Sequence, residues 1–138
     1  MNISRALRRI GAVTSVAAAC LAASPVDAAP ETEVASLMSK DLAGLPGKEG
    51  LMITVDYPPG AVDPIHRHNA HAFLYVLEGS IVMGVRGGKE VTLTAGQTFY
   101  EGPTDVHTVG RNASKTKPAK FVVFLVKDKG APVLIPTN

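Results

Sequence analysis

Gly60-Ala61-Val62-Asp63-Pro64-Ile65-His66-Arg67-His68-Asn69-Ala70-His71-Ala72-Phe73-Leu74-Tyr75-Val76-Leu77-Glu78-Gly79 holds three of the four histidines of this 138-residue chain and runs directly into strand-forming residues. Side chains alternate along extended backbone, so His66 and His68 project from one face. Ala72 shares their parity. His71 has the opposite parity and is expected on the wall or outer face unless a bend after His68 turns it inward. Two imidazoles on one face offer adjacent positions to a metal ion, and His107, about forty residues on, would complete a facial set of three. A lone His-x-His pair signifies little by itself, and its surroundings carry the argument.

Outward from this stretch, Leu51–Tyr57, Ala72–Glu78, Ser80–Arg86, Glu90–Thr94, Thr98–Glu101, Val106–Gly110 and Phe121–Lys127 read as strands. The breaks between them fall at Pro58-Pro59-Gly60, Gly87-Gly88, Ala95-Gly96 and Gly102-Pro103, and Gly87-Gly88 predicts a two-residue hairpin turn. About seven short strands with no long helical period imply an all-β sandwich or barrel. Phe121-Val122-Val123-Phe124-Leu125-Val126 is apolar on both faces. That suits a strand facing the barrel interior on one side and a second sheet or subunit on the other, so a homodimer is expected.

The spacing resembles the cupin superfamily. Its first motif is matched by Gly60, His66-Arg67-His68 and Gly79, with Phe73–Gly79 similar to the motif's usual ending. Its second motif is matched by Gly88, Thr94-Ala95-Gly96, His107 and Asn112. The resemblance spans roughly residues 50 to 127 and implies a double-stranded β-helix, or jelly-roll barrel. It also implies one divalent metal ion (Fe, Mn, Zn, Cu or Ni) held by His66, His68 and His107. Thr94 stands where the second motif has Pro, and Asn112 falls one position late. The largest departure is Ala72, which occupies the position of the family's ligand glutamate. The centre is then either three histidines alone or three with a substitute ligand, for which His71 and Glu101 are the candidates. Glu101 and Tyr75 are candidate catalytic groups, and Tyr57, Tyr75, Phe99 and Tyr100 are candidate cavity residues. The resemblance implies a three-histidine, dioxygenase-like enzyme acting on a small molecule in the barrel. The alternative is a non-catalytic module or sensor binding a metal or small ligand.

The ends of the chain read differently. Arg5, Arg8 and Arg9 precede an uncharged alanine-rich run from Ile10 to Ala23 and then Val26-Asp27-Ala28-Ala29, the order of a secretory signal peptide cleaved after Ala28. Export to the periplasm or medium is therefore expected, with no stable membrane insertion after processing; Cys20 leaves a lipoprotein variant open. Three of the 14 Lys and Arg and one of the 12 Asp and Glu lie in this leader, so eleven of each remain and the basic character disappears with it. Nucleic acid is thus not an expected partner, whereas a small-molecule ligand is. The only Cys leaves too, so the mature domain depends on its apolar core. Residues 1–28 are assigned to the signal peptide and 29–48 to a polar N-terminal extension with a helical turn or two near Glu33–Leu42. The barrel is assigned to 49–130 and a tail to 131–138.

Overall fold

The computed structural model describes residues 30–138; the expected signal peptide at 1–28 lies outside them. Ten strands follow one another: β1 (Glu33–Asp41), β2 (Lys48–Tyr57), β3 (His66–Arg67), β4 (His71–Glu78), β5 (Ser80–Val85), β6 (Val91–Thr94), β7 (Thr98–Glu101), β8 (His107–Asn112), β9 (Ala119–Asp128) and β10 (Ile135–Pro136). They form two antiparallel five-stranded sheets, ordered β1-β2-β9-β4-β7 and β10-β3-β8-β5-β6. The described residues contain no helix, so no helix there is long and apolar enough to cross a membrane.

Alternation builds the interior. Leu51, Ile53, Val55 and Tyr57 of β2 point inward, as do Ala119, Phe121, Val123 and Leu125 of β9 and Ala72, Leu74 and Val76 of β4. Ile81 and Met83 of β5 and Leu93 of β6 close the core from the opposite sheet. The other face of β4 leaves Phe73, Tyr75 and Leu77 exposed in the single chain, beside Tyr100 of β7. Gly79 makes the turn from β4 to β5 possible. Its φ is +72°, and a Cβ there would sit 2.5 Å from the Pro118 carbonyl oxygen.

Three features differ from the sequence reading. Glu33–Asp41 is a strand, not a helical turn: Val34, Leu37 and Met38 have helical spacing, but the segment pairs along almost the whole free edge of β2, and that ladder overrides the local pattern. The Ser80–Thr94 hairpin exists, with Ser80 opposite Thr94 and Met83 opposite Val91, but residues 86–90 separate its strands, so the turn is wider than two residues. The segment after 130 contributes β10, which pairs with β3 and extends the ladder beside His66.

Candidate metal centre

Pairing at the centre of the second sheet brings two of the histidines together. His66 on β3 and His107 on β8 are direct cross-strand partners, and both are buried. The Nδ1–H of His66 donates to the Pro64 carbonyl (2.8 Å) and that of His68 to the Val133 carbonyl (2.6 Å). A carbonyl accepts only, so these bonds fix the tautomers and leave each Nε2 with a lone pair. Those two Nε2 atoms lie 3.3 Å apart, and Nδ1 of His107 is 3.4 Å from Nε2 of His66. Bare lone pairs would repel at such a distance. Two nitrogens bound at about 2.0–2.1 Å to one ion stand roughly 3.0–3.4 Å from each other, so the crowding fits a shared metal. All three ligand atoms lie within 4.8 Å of one another.

A carboxylate named as a candidate substitute lies beside the three histidines. Glu101, at the end of β7, is the cross-strand partner of Ala72 on β4. Its carboxylate lies 3.6 Å from His68 Nε2 and 3.6 Å from His107 Nδ1. Glu101 is 5% exposed, and its Oε2 has no hydrogen-bond partner, as is also true of His107 Nε2. A buried carboxylate oxygen without a donor is costly unless something binds it. The methyl group of Ala72 leaves the room that the side chain from β7 occupies.

Burial first, then the charge of His66, holds His107 down at about 4. Burial likewise lowers His68. Both imidazoles are therefore neutral near pH 7, the form that ligates metal. Burial raises Glu101 to about 7, helped by the charges of Asp105 and Asp63. A cation at the centre would reverse that cost and draw its proton off.

The site forms the polar end of a cavity of about 560 Å³, within the usual range of roughly 300–1,000 Å³ for small-molecule pockets. Leu74, Met83, Phe121 and Val123 line its apolar wall, and Pro30, Glu31 and Thr32 contribute to it from the N-terminal segment. Tyr57 lines the cavity as expected. Four candidates are corrected. His71 begins β4 on the outer face and bonds the Tyr100 hydroxyl through Nδ1 at 2.7 Å, so its parity keeps it away from the centre. Tyr75 and Tyr100 share that outer face, with Tyr75 45% exposed, so neither reaches the cavity. Phe99 packs against the core instead. Asn112, the last matched motif residue, is structural: its Nδ2 donates to the carbonyls of Tyr57, Pro58 and Lys117.

The sequence reading missed Asp63 and the two carbonyls that orient the histidines. Asp63 accepts hydrogen bonds from the Tyr57 hydroxyl and from Thr32 Oγ1 (3.0 Å). Its position in an Asp-Pro turn just before the His-x-His pair was the one available signal, since alternation does not extend through a turn.

The model of the cupin domain family matches residues 53–125, more than half of the chain. The chain is a cupin. No curated protein matches it, but many solved structures do. A Klebsiella pneumoniae protein with a double-stranded β-helix domain superposes with a TM-score of 0.61 at 18% identity, covering 78% of this cupin and 86% of that chain. Oxalate oxidase in complex with the substrate analogue glycolate gives 0.57 at 27% identity, covering 75% and 54%. The DMSP lyase DddQ of Ruegeria pomeroyi DSS-3 gives 0.57 at 20% identity, covering 64% and 43%. This cupin therefore spans about half the length of those two enzymes.

Proposed function

We propose that this cupin is a mononuclear metal-dependent enzyme, dioxygenase-like in its chemistry, that acts on a small molecule held in the barrel. One observation carries the reading: ring nitrogens of three histidines, all within 4.8 Å of one another, and a buried carboxylate with an unpartnered oxygen converge in one mostly apolar cavity. His66, His68, His107 and Glu101 would hold one divalent ion there, which revises the three-histidine centre to three histidines and a glutamate. Such an ion would offer its remaining coordination positions to substrate or co-substrate, and as Fe(II) it would supply dioxygen activation. The chain's own contribution is orientation and exclusion of water. Pro64 and Val133 lock two ligands by their carbonyls, while the apolar wall lowers the dielectric around the reacting group. Likeness to an oxalate oxidase supports small-molecule metal chemistry in a barrel of this kind. Export remains part of the proposal and rests on the leader sequence.

Oxygen-electrode measurements on Fe(II)-loaded protein, with small thiols, β-diketones and phenols, test the reading. Substrate-dependent uptake that disappears in His107→Ala is expected. Full metal loading without turnover of any of these classes would point instead to a non-catalytic binding module.

A further inference from the structure

A metal held by the three histidines and Glu101 would leave Asp63, another polar group of the cavity, unused. Asp63 stands across from the histidines, held from two sides by the Tyr57 and Thr32 hydroxyls, and its backbone N–H donates to the Gly110 carbonyl at 2.8 Å. Tyr57 is 1% exposed, and the Gly110 backbone packs so closely that a Cβ there would lie 3.0 Å from Asp63 Oδ2 and 3.0 Å from His107 Cε1. The half-buried carboxylate is therefore held in the cavity wall by these contacts.

Its charge has no counterion. Among the described residues, no Lys or Arg lines the cavity and none forms an ion pair with Asp63. Glu31 lies in the same wall, and Glu101 stands at the histidines. Glu31 is exposed, so water screens its charge. In the metal-free cavity Asp63 and Glu101 then set two carboxylates against no cationic side chain in a mostly apolar space, and a divalent ion would do no more than balance those two. Field lines in such a space are weakly screened, so the sign of a ligand's charge weighs heavily. An organic dianion would meet no cation other than the metal.

We propose that the cavity selects small, largely apolar molecules that are cationic or uncharged and rejects organic anions, with Asp63 as the residue that sets this preference. The inference rests on the cavity's being the ligand site proposed above and adds the class of ligand. It also sets this cupin apart from an enzyme of oxalate, whose substrate is a dianion at neutral pH.

Three probes with one apolar body and different charge test it: cyclohexylmethylamine, cyclohexylmethanol and cyclohexanecarboxylate. Each is titrated into metal-free and zinc-loaded protein, with binding read from NMR shifts of the Met83 and Leu74 methyl groups. Elemental analysis of each sample reports separately on metal loading, so failure of the metal reading shows as absent zinc and failure of charge selection as a wrong order of affinities. In metal-free protein the amine should bind at least about tenfold more tightly than the carboxylate, a conservative figure for an unscreened carboxylate nearby. Asp63→Asn should shrink that ratio several-fold. Equal or tighter binding of the carboxylate by the wild-type protein would overturn the proposal, as would an unchanged ratio in Asp63→Asn or binding of none of the three. The wild-type order of affinities decides the matter even where the variant does not fold.

Discussion

At the scale of single residues, Glu101 carries the most information. Its elevated pKa of about 7 comes from burial, and so does the depressed value of about 4 for His107. In the metal-free protein the two act on stability with opposite signs. The raised Glu101 favours the fold at low pH, a contribution lost as pH rises through about 7. His107 favours it above its unfolded value of 6.5, a contribution lost as pH falls toward 4. Between pH 6 and 8 His107 is already neutral, so Glu101 adds to the pH dependence of metal affinity. Competition with its proton should make binding of Zn(II) strengthen by about tenfold across that interval, measured by competition with a chromophoric chelator. Glu101→Gln should bind more weakly and lose most of that pH dependence; an unchanged slope would mean that the carboxylate is not a ligand. Sequence alone showed the absence of a ligand at Ala72 and named Glu101 as one of two substitutes. The choice between them was not legible, because it depends on which residue of β7 stands opposite Ala72, a cross-strand register that no local pattern encodes.

At the scale of elements, most of the strands were legible because one face of each is buried and alternation records it. Leu51–Tyr57 and Phe121–Lys127 fall inside β2 and β9, where inward residues alternate with less buried ones. Elements whose existence depends on a partner were missed: β1 is exposed along its entire length and is held by backbone pairing to β2, while β3 and β10 are two residues each. The link between β4 and β5 gives a prediction at this scale. Gly79 combines a left-handed backbone with an overlap against backbone atoms of Pro118 and Ala119 that no side chain could relieve. Gly79→Ala should therefore lower stability by about 1–3 kcal/mol, read from urea unfolding, with metal stoichiometry retained in the folded fraction. A variant as stable as wild type would show that this turn relaxes freely.

At the scale of the whole molecule, two sheets are joined by a core in which Phe121, Leu125, Ile81 and Met83 meet, and the candidate metal centre opens on the cavity that Phe121 and Met83 help to line. The fold was readable from spacing because Gly60, the His-x-His pair, Gly79 and His107 answer to separate demands of the same barrel: turns where the backbone must reverse, and donors where strands converge. The cavity's charge was not readable, since Glu31, Asp63 and Glu101 are far apart in sequence and become neighbours only through the fold. The account stands on a single centre built from His66, His68, His107 and Glu101. Metal content per chain, by elemental analysis of wild-type protein and of His66→Ala, His107→Ala and His71→Ala after equilibration with Zn(II) and removal of free metal, tests it most directly. One ion per chain in wild type and in His71→Ala, and none in the other two, is the predicted result. No ion in the wild-type protein, or equal retention in His66→Ala and His107→Ala, would contradict it.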